Sequence, residues 1–579
     1  MEMKKSDDVV KVSIGESLSE LVSGFGRYQV WQCLLALLPV ICSAMSNTNF
    51  VFAAAAINYR PIAINSFFSK IMESIINCQF LRYLEKHKRL PGKLCNCITS
   101  LAKIGKSRVM KAENGQQCAV PECEAPNATS ALPSWWPPNV TDDRCSRPVY
   151  KNNSCNINDF DNFKECDEWI YETKDSVVAE FGLACQEWKR TLVGTIHNLG
   201  VLISMPLMGF ISDRIGRRSA IIISGLSLGL GAFKVLSGGG PNGYITYVCI
   251  EFIEALLVTG TYTTCFVLIV ELIGSDKRII GAAAVGISVA VGELILDLIV
   301  WYIPYWRNFL LIIYCPVPIF LLYTYLLEES MRWLITNGRN DEALILLQKI
   351  AHCNQFAISE KTIDEINKDS KEKDALHEEK FNIKLLFSSK ALLKRVIVCS
   401  WWWFTAAFVY YGLMINSVAL PGNKNTNFAL SSLATIPGDI IAVITLDRLG
   451  RKKTLLGGFL FCGLCCVTNG FIQEYKIAST AIFLIGKMSI SACFNAVYVY
   501  TSELVPTSAR GSLVGTCSML ARVGSVLAPL TPLLRQWWHS LPTVIFGCAS
   551  LSAAVLTLAT PETLRRPLPD TVAEATALS

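Results

Sequence analysis

The sequence has few of the residues from which enzyme sites are built. It contains five histidines in 579 residues, none at a metal-ligand spacing, and no Ser-His-Asp arrangement can be argued from them. Gly486-Lys487-Met488-Ser489 resembles part of a phosphate-binding loop but lacks the first glycine and the adjacent Lys-Ser/Thr pair. We therefore expect no enzyme, no cofactor, no bound metal and no ATP-driven pump.

Charged side chains are scarce as well. They make up 17% of the residues against 51% hydrophobic residues, and the mean hydropathy is +0.37, which is too apolar for a soluble domain of this length. Twelve apolar stretches, each of roughly 20 residues, are long enough to cross a bilayer. They lie at 30–52, 191–211, 219–236, 244–268, 281–301, 307–327, 393–415, 428–446, 453–472, 478–500, 512–533 and 541–560. This pattern predicts an all-α membrane protein whose partner is the lipid bilayer and not nucleic acid.

The positive charge of the short connections alternates between the two sides of the membrane. Connections 209–218, 271–278 and 447–453 are rich in Lys and Arg, whereas 237–244 and 420–427 hold a single lysine between them. Because Lys and Arg are retained on the cytosolic side, both termini are expected to be cytosolic.

The long connection 57–190 is then expected to be extracellular. It carries three glycosylation sequons, at Asn127, Asn139 and Asn152. It also carries six cysteines that an oxidising compartment would close as disulfides: Cys118, Cys123, Cys145, Cys155, Cys166 and Cys185. Their pairing stays open.

Three charged motifs occur twice at nearly the same spacing. The pairs are 213–218 with 447–452, 271–278 with 503–510, and 329–332 with 562–565. Two parallel six-helix repeats would place these motifs after the second, fourth and sixth helix of each half. The predicted organisation is a cytosolic N-terminus 1–29, a first half 30–327, a linker 328–392, a second half 393–560 and a tail 561–579.

The repeated motifs are candidates for a cytosolic gate. Their charged side chains enter lipid only at high cost, so they are expected to pair with helix ends and with acids of neighbouring spans, and to separate when that side opens. The predicted gating residues are Asp213, Arg214, Arg217, Arg218, Glu271, Arg278, Asp447, Arg448, Arg451, Glu503 and Arg510. Topology alone would require the Arg residues but not the Asp, the Gly or the repeat.

Five short motifs carry a family resemblance. Residues 209–218 resemble the loop signature of the major facilitator superfamily, and 25–29, 329–334, 500–511 and 561–571 are similar to the organic cation, anion and zwitterion transporter branch of the solute carriers. Insect members described as organic cation or carcinine transporter-like share this pattern. The resemblance implies a major facilitator fold with 12 transmembrane helices, alternating access, the plasma membrane and a monomeric transport unit.

Residues 61–117 depart from the family pattern. They separate Tyr59-Arg60 from Cys118, are basic, contain no sequon, and add three cysteines that make the loop count odd. An unpaired cysteine is an awkward fit for an extracellular loop. We interpret the segment as a translated intron or gene-model error, and a lineage-specific extension is the alternative.

Several ionisable residues fall inside the predicted spans, where each costs about 2.5–3.5 kcal/mol to insert. The acids are Glu251, Glu254, Glu293, Asp297 and Asp439, the deep bases are Lys487 and Arg522, and Lys234 lies near enough to an outer end to snorkel. Glu293 and Asp297 are four residues apart and are expected to face one cavity. Pairing across helices could neutralise some of these acids, but their excess favours a cationic or zwitterionic substrate.

The resemblance also implies aromatic residues in the cavity, and the sequence departs from the pattern of cation carriers at two positions. Tyr262, Trp403, Tyr410 and Phe494 match cavity residues of the family, where an aromatic face gains up to about 2 kcal/mol from a desolvated cation. Arg522 stands where cation carriers have an Asp, as in anion and carnitine-type relatives. Thr435 replaces an eighth-span acid, and Asp439, one turn on, is our candidate to stand in for it.

The predicted substrate-binding residues are Tyr262, Glu293, Asp297, Trp403, Tyr410, Asp439, Lys487, Phe494 and Arg522. The predicted function is secondary transport of small organic cations or zwitterions. An organic anion transporter of the same family and a non-transporting membrane receptor are the alternatives.

Overall fold

The structure, a computed structural model, describes only part of the chain. The described residues are 26–53, 59–61, 146–150, 160–165, 169–171, 175–273, 278–355, 390–472, 474–505 and 510–564. The three sequons and five of the six candidate disulfide cysteines lie outside them. Cys185 lies inside and is disulfide-bonded.

Twelve apolar helices of the described residues form the membrane domain. Eleven of the helices in the described residues are long and apolar enough to cross a bilayer. Spans 1 to 6 are Arg27–Ala53, Glu187–Ile215, Arg217–Leu236, Gly240–Leu272, Ala283–Tyr302 and Trp306–Leu326. Spans 7 to 11 are Leu392–Ser417, Lys424–Leu449, Arg451–Phe471, Lys476–Leu504 and Leu513–Gln536, and the shorter span 12 is Leu541–Thr557. The prediction of twelve helices is confirmed, with bounds shifted by a few residues.

Four spans change their helical geometry along their length. Spans 3 and 11 change from an α-helix to a 3-10 helix: span 3 is α at Arg217–Ser227 and 3-10 at Leu228–Leu236, and span 11 is α at Arg510–Leu527 and 3-10 at Ala528–Gln536. Spans 6 and 8 each consist of two α-helices. Those of span 6 are Trp306–Tyr314 and Ile319–Leu326, and those of span 8 are Lys424–Leu433 and Thr435–Leu449. The helices of spans 5 and 7 begin at Arg278 and Lys390. Span 6 breaks where Pro316 and Pro318 remove backbone donors.

Short elements lie outside the spans. Helices are found at Val177–Glu180, Met331–Thr336 and Asn340–Asn354. Strands Tyr59–Pro61 and Trp169–Tyr171 form one antiparallel pair, and Ser146–Tyr150 and Phe160–Glu165 form another. All four strands belong to a separate compact unit of residues 56–174 and 182–186. The all-α prediction thus holds for the membrane domain, and the long loop adds two small sheets.

Each half of the membrane domain has its own apolar core. Val40, Leu268 and Tyr323 are buried in the first half, and Trp402 and Phe459 are buried in the second. Across the halves, span 2 packs against span 11 and span 5 against span 8. These two contacts are equivalent under the repeat, as expected for two halves that move against each other.

The repeated turn has the same backbone in both halves. Gly216, between spans 2 and 3, and Gly450, between spans 8 and 9, both have φ +96°. Residues with a Cβ rarely adopt this conformation, so the motif requires glycine here. The duplication seen in the sequence is therefore a duplication of conformation.

Candidate functional site

An internal cavity of about 180 Å³ lies between the halves. Six of the nine predicted binding residues line it: Tyr262, Glu293, Tyr410, Asp439, Phe494 and Arg522. Spans 1, 2, 4, 5, 7, 8, 10 and 11 all contribute to its wall. The fold thus brings together residues that are far apart in the chain.

Two carboxylates of the wall are held by neutral donors. Asp439 Oδ1 accepts hydrogen bonds from Ser491 Oγ at 2.5 Å and from Asn495 Nδ2 at 2.9 Å. Glu293 Oε2 accepts a hydrogen bond from Ser432 Oγ at 2.7 Å, which joins span 5 to span 8. Both side chains are buried, at 4% and 2% exposure. Within the described part of the chain, neither forms an ion pair with Lys or Arg.

Aromatic side chains form a large part of the wall on the second half. The ring centroids of Tyr410 lie 5.5 Å from Tyr411 and 5.7 Å from Phe494, and Phe494 lies 6.0 Å from Tyr498. Lys487 is fully buried behind Tyr410, with Nζ 3.2 Å from the ring centroid and 3.1 Å from the backbone oxygen that it donates to. Tyr410 therefore already stabilises an ammonium of the protein itself, through a cation–π contact.

Arg522 is the basic residue of the wall. It is buried at 8% exposure, and its Nε has no hydrogen-bond partner among the described residues. A buried guanidinium N–H without a partner is a donor available to an incoming carboxylate.

Three predicted binding residues do not line the cavity. Lys487 lies behind Tyr410, and Trp403 is buried in the core of the second half, where its Nε1 donates to Thr501 Oγ1 at 3.0 Å. Asp297 is buried but absent from the wall, so the expectation that it faces one cavity with Glu293 is not met. Four residues advance about 6 Å along a helix, which carries Asp297 past the end of the cavity.

A second buried charge cluster lies in the first half. Lys234 Nζ is 2.8 Å from Glu251 Oε2 and 2.5 Å from Glu254 Oε2, and all three side chains are at most 1% exposed. Tyr314 OH donates to Glu254 Oε1 at 2.7 Å, as Ser46 also does. The expectation that Lys234 snorkels is therefore wrong, because the two carboxylates hold it inside. Their pairing also reduces the excess of acids that was inferred from the sequence.

The repeated charged motif forms an ion-pair network in the first half. Arg217 Nη2 is 3.1 Å from Glu271 Oε1, and Arg217 Nη1 is 2.9 Å from Asp213 Oδ1. Arg214 lies over the Phe210 ring at 4.7 Å. The predicted pairing of the turn with the acid of span 4 is thus present.

The second half repeats the central pair, with Arg451 Nη2 3.0 Å from Glu503 Oε1. Asp447 and Arg448 are exposed, and the side chains of Arg278 and Arg510 lie outside the described residues. All of the described pairs of this network join elements of one half, so they brace each half and do not connect the two.

Two glutamates outside the predicted set complete these turns. Glu329 Oε1 accepts a hydrogen bond from the backbone N–H of Arg217 at 2.8 Å, and both Glu329 oxygens accept from the backbone N–H of Arg218. In the second half, Glu562 Oε1 accepts a hydrogen bond from the backbone N–H of Arg451 at 2.9 Å. Each carboxylate caps the positive end of a helix. Burial raises the pKa of Glu329, and the N–H groups that it accepts oppose this shift. The third repeated motif was the available signal for both residues.

Sequence reasoning also missed His197, Asn495, Tyr411 and Tyr498, which line the cavity. They carry no local motif, and only the arrangement of the spans brings them to the wall.

Known proteins resemble this chain in sequence and in fold. The family described as "Sugar (and other) transporter" matches residues 52–573. The "Organic cation transporter protein" of Drosophila melanogaster is 31% identical over 71% of this chain and 76% of its own length. The "Solute carrier family 22 member 3" of Rattus norvegicus is 32% identical over 70% of this chain and 73% of its own length. The xylose transporter XylE from E. coli, in an inward-open structure, aligns with TM-score 0.55 and 18% identity over 68% of this chain and 92% of its own.

Proposed function

This chain belongs to the family of sugar and other transporters, in its organic cation, anion and zwitterion branch, and we propose that it moves small organic cations or zwitterions across the plasma membrane by alternating access. The transport unit is a monomer with both termini in the cytosol, and the three sequons of the extracellular loop are glycosylated.

The strongest support for a cationic substrate is the pair of carboxylates on the cavity wall. Asp439 and Glu293 are buried and held by hydroxyl and amide donors, without an ion pair to a described Lys or Arg. The buried Lys487, behind Tyr410, interacts electrostatically with both acids without a contact ion pair, so one ammonium faces two carboxylates and a cation in the cavity supplies the second positive charge. The adjacent Tyr410 ring suits the same kind of ligand.

The position of Arg522 makes a zwitterion the second candidate substrate. Its unpartnered Nε offers a charge-assisted hydrogen bond to a carboxylate, while Asp439 and Glu293 attract the ammonium. A simple organic anion fits less well, since it would meet both carboxylates of the wall.

Contacts between the two halves support a cavity that is closed on the extracellular side. Phe52 of span 1 and Phe428 of span 8 pack with ring centroids 4.6 Å apart, and Gly194 of span 2 lies against Pro529 of span 11. All four residues are near the face that carries the long loop. With the loop extracellular, these contacts join the two halves on the outer side of the cavity.

Uptake by the purified full-length chain in liposomes tests the proposal. The labelled panel is tetraethylammonium, methylguanidine, carnitine, carcinine and an aryl carboxylate, each compared with protein-free vesicles. We expect the cations or the zwitterion to enter and the aryl carboxylate to remain outside. Entry of the aryl carboxylate alone would support the anion alternative, and absence of all flux would support the receptor alternative.

A further inference from the structure

His197 of span 2 joins the substrate cavity to the buried cluster of Lys234, Glu251 and Glu254. It is the member of this group that lines the cavity, and it is 2% exposed. Its Nδ1 lies 2.8 Å from Glu251 Oε1, and its ring packs against Phe50 at 5.2 Å. Its buried Nε2 has no hydrogen-bond partner within the part of the chain that the structure describes.

The position of the imidazole hydrogen follows from its neighbours. Glu251 is ionised because Lys234 holds its other oxygen at 2.8 Å, so Glu251 Oε1 accepts and His197 Nδ1 carries the hydrogen. The neutral ring then leaves a lone pair on Nε2. That lone pair is buried and without a donor, so a proton or an N–H group of a ligand is the partner that it lacks.

The charge of the cluster favours a proton at the same atom. Two carboxylates and one ammonium leave one negative charge uncompensated, and an imidazolium at His197 cancels it. The other titratable or charged groups around the cluster and the cavity are Tyr247, Tyr262, Glu293, Tyr314, Tyr410, Tyr411, Asp439, Lys487, Tyr498 and Arg522. The two wall acids add to the attraction for a proton, and Lys487 and Arg522 oppose it.

We propose that His197 binds the counter-transported proton, and that this proton and an N–H group of the substrate are alternative partners of Nε2. This inference rests on the proposed function and names the proton gradient as the energy source of transport. On the outer side, the Nε2–H bond breaks, the proton passes to external water and the cation takes its place. On the inner side, the cation leaves and a cytosolic proton forms the bond again. One monovalent cation is exchanged for one proton, so no net charge crosses.

Proteoliposomes loaded at acidic pH test the exchange with labelled methylguanidine. A guanidinium stays charged over the whole range and has N–H groups, so any pH effect belongs to the protein. With an interior about one pH unit more acidic, wild-type vesicles should accumulate the cation up to about tenfold, while an entrapped dye reports loss of internal protons. His197→Gln should carry methylguanidine at a reduced rate, because the substrate loses its Nε2 partner, and this residual uptake should show neither the pH stimulation nor the dye signal.

His352→Gln is the matched control, because His352 is exposed on helix Asn340–Asn354 and should keep both signals. His197→Asn is the second variant if His197→Gln does not yield folded protein. Wild-type uptake without proton movement, equal pH stimulation of the His197 variants, or carriage of tetraethylammonium but not methylguanidine would each overturn the exchange while the proposed function stands. Absence of flux for the whole panel would refute the proposed function itself.

Discussion

Asp439 is the residue on which the predicted cation preference most depends. Its carboxylate faces the cavity and is oriented by Ser491 and Asn495, so an Asn side chain would fit the same place without the charge. Asp439→Asn should therefore lower the uptake of a transported cation by about tenfold or more, since a charged contact contributes about 1.5–3 kcal/mol.

Initial uptake rates at equal surface expression measure this effect. Asp297→Asn is the comparison, because Asp297 lies outside the wall, and it should have the smaller effect. Unchanged uptake in Asp439→Asn together with its loss in Glu293→Gln would show that Asp439 does not replace the acid missing at Thr435.

Lys234 is the residue whose removal should damage the fold most. Lys234→Met leaves Glu251 and Glu254 buried without their base, which costs about 3–5 kcal/mol. We expect a clear drop in the thermal unfolding midpoint of the detergent-purified protein. Lys349→Met is the control, because the Lys349–Glu328 pair is largely exposed and is worth about 1 kcal/mol or less. Equal unfolding midpoints for the two variants would contradict the buried network.

At the scale of elements, the turn between spans 2 and 3 and its repeat between spans 8 and 9 show why the motif contains glycine. A Cβ at Gly450 would lie 2.6 Å from Glu562 Oε2, and a Cβ at Gly216 would collide with Glu329. The φ of +96° adds backbone strain of about 1–3 kcal/mol for any other residue.

Gly216→Ala and Gly450→Ala should each reduce stability and uptake, measured on folded protein by size-exclusion recovery and flux. Gly209 lies in the same motif, but a Cβ there would meet no atom of another element within 4 Å, so Gly209→Ala should behave like wild type. If all three variants were equally active, the tight capping by Glu329 and Glu562 would be unnecessary.

For the whole molecule, residues 61–117 are the segment that the family pattern does not explain. As a translated intron or gene-model error they should be absent from the native protein, so no tryptic peptide from 61–117 should be recovered by mass spectrometry. Deletion of 61–117 should leave uptake of the panel intact, because the cavity is lined by residues of spans 1, 2, 4, 5, 7, 8, 10 and 11. Recovery of such a peptide from native tissue would establish the alternative, a lineage-specific extension.

The amino-acid sequence alone determined the number of spans, the duplication and the positions of the charged turns. These follow from local properties, since apolar length, basic connections and repeated motifs act through neighbouring residues. The pairing of Arg217 with Glu271 was also expected, because charges of the repeated turn enter lipid only at high cost and Glu271 is an acid of a neighbouring span.

The tertiary structure decided which buried charges meet. Lys234 is paired with Glu251 and Glu254, Asp297 is excluded from the cavity, and His197 joins that cavity to the cluster. These outcomes depend on the rotation and depth of each helix relative to its neighbours, which a single span does not encode. Coulomb attraction is strong in a low-dielectric interior and depends on the separation of the charges, so only the packed arrangement sets which acid is neutralised and which remains for a ligand.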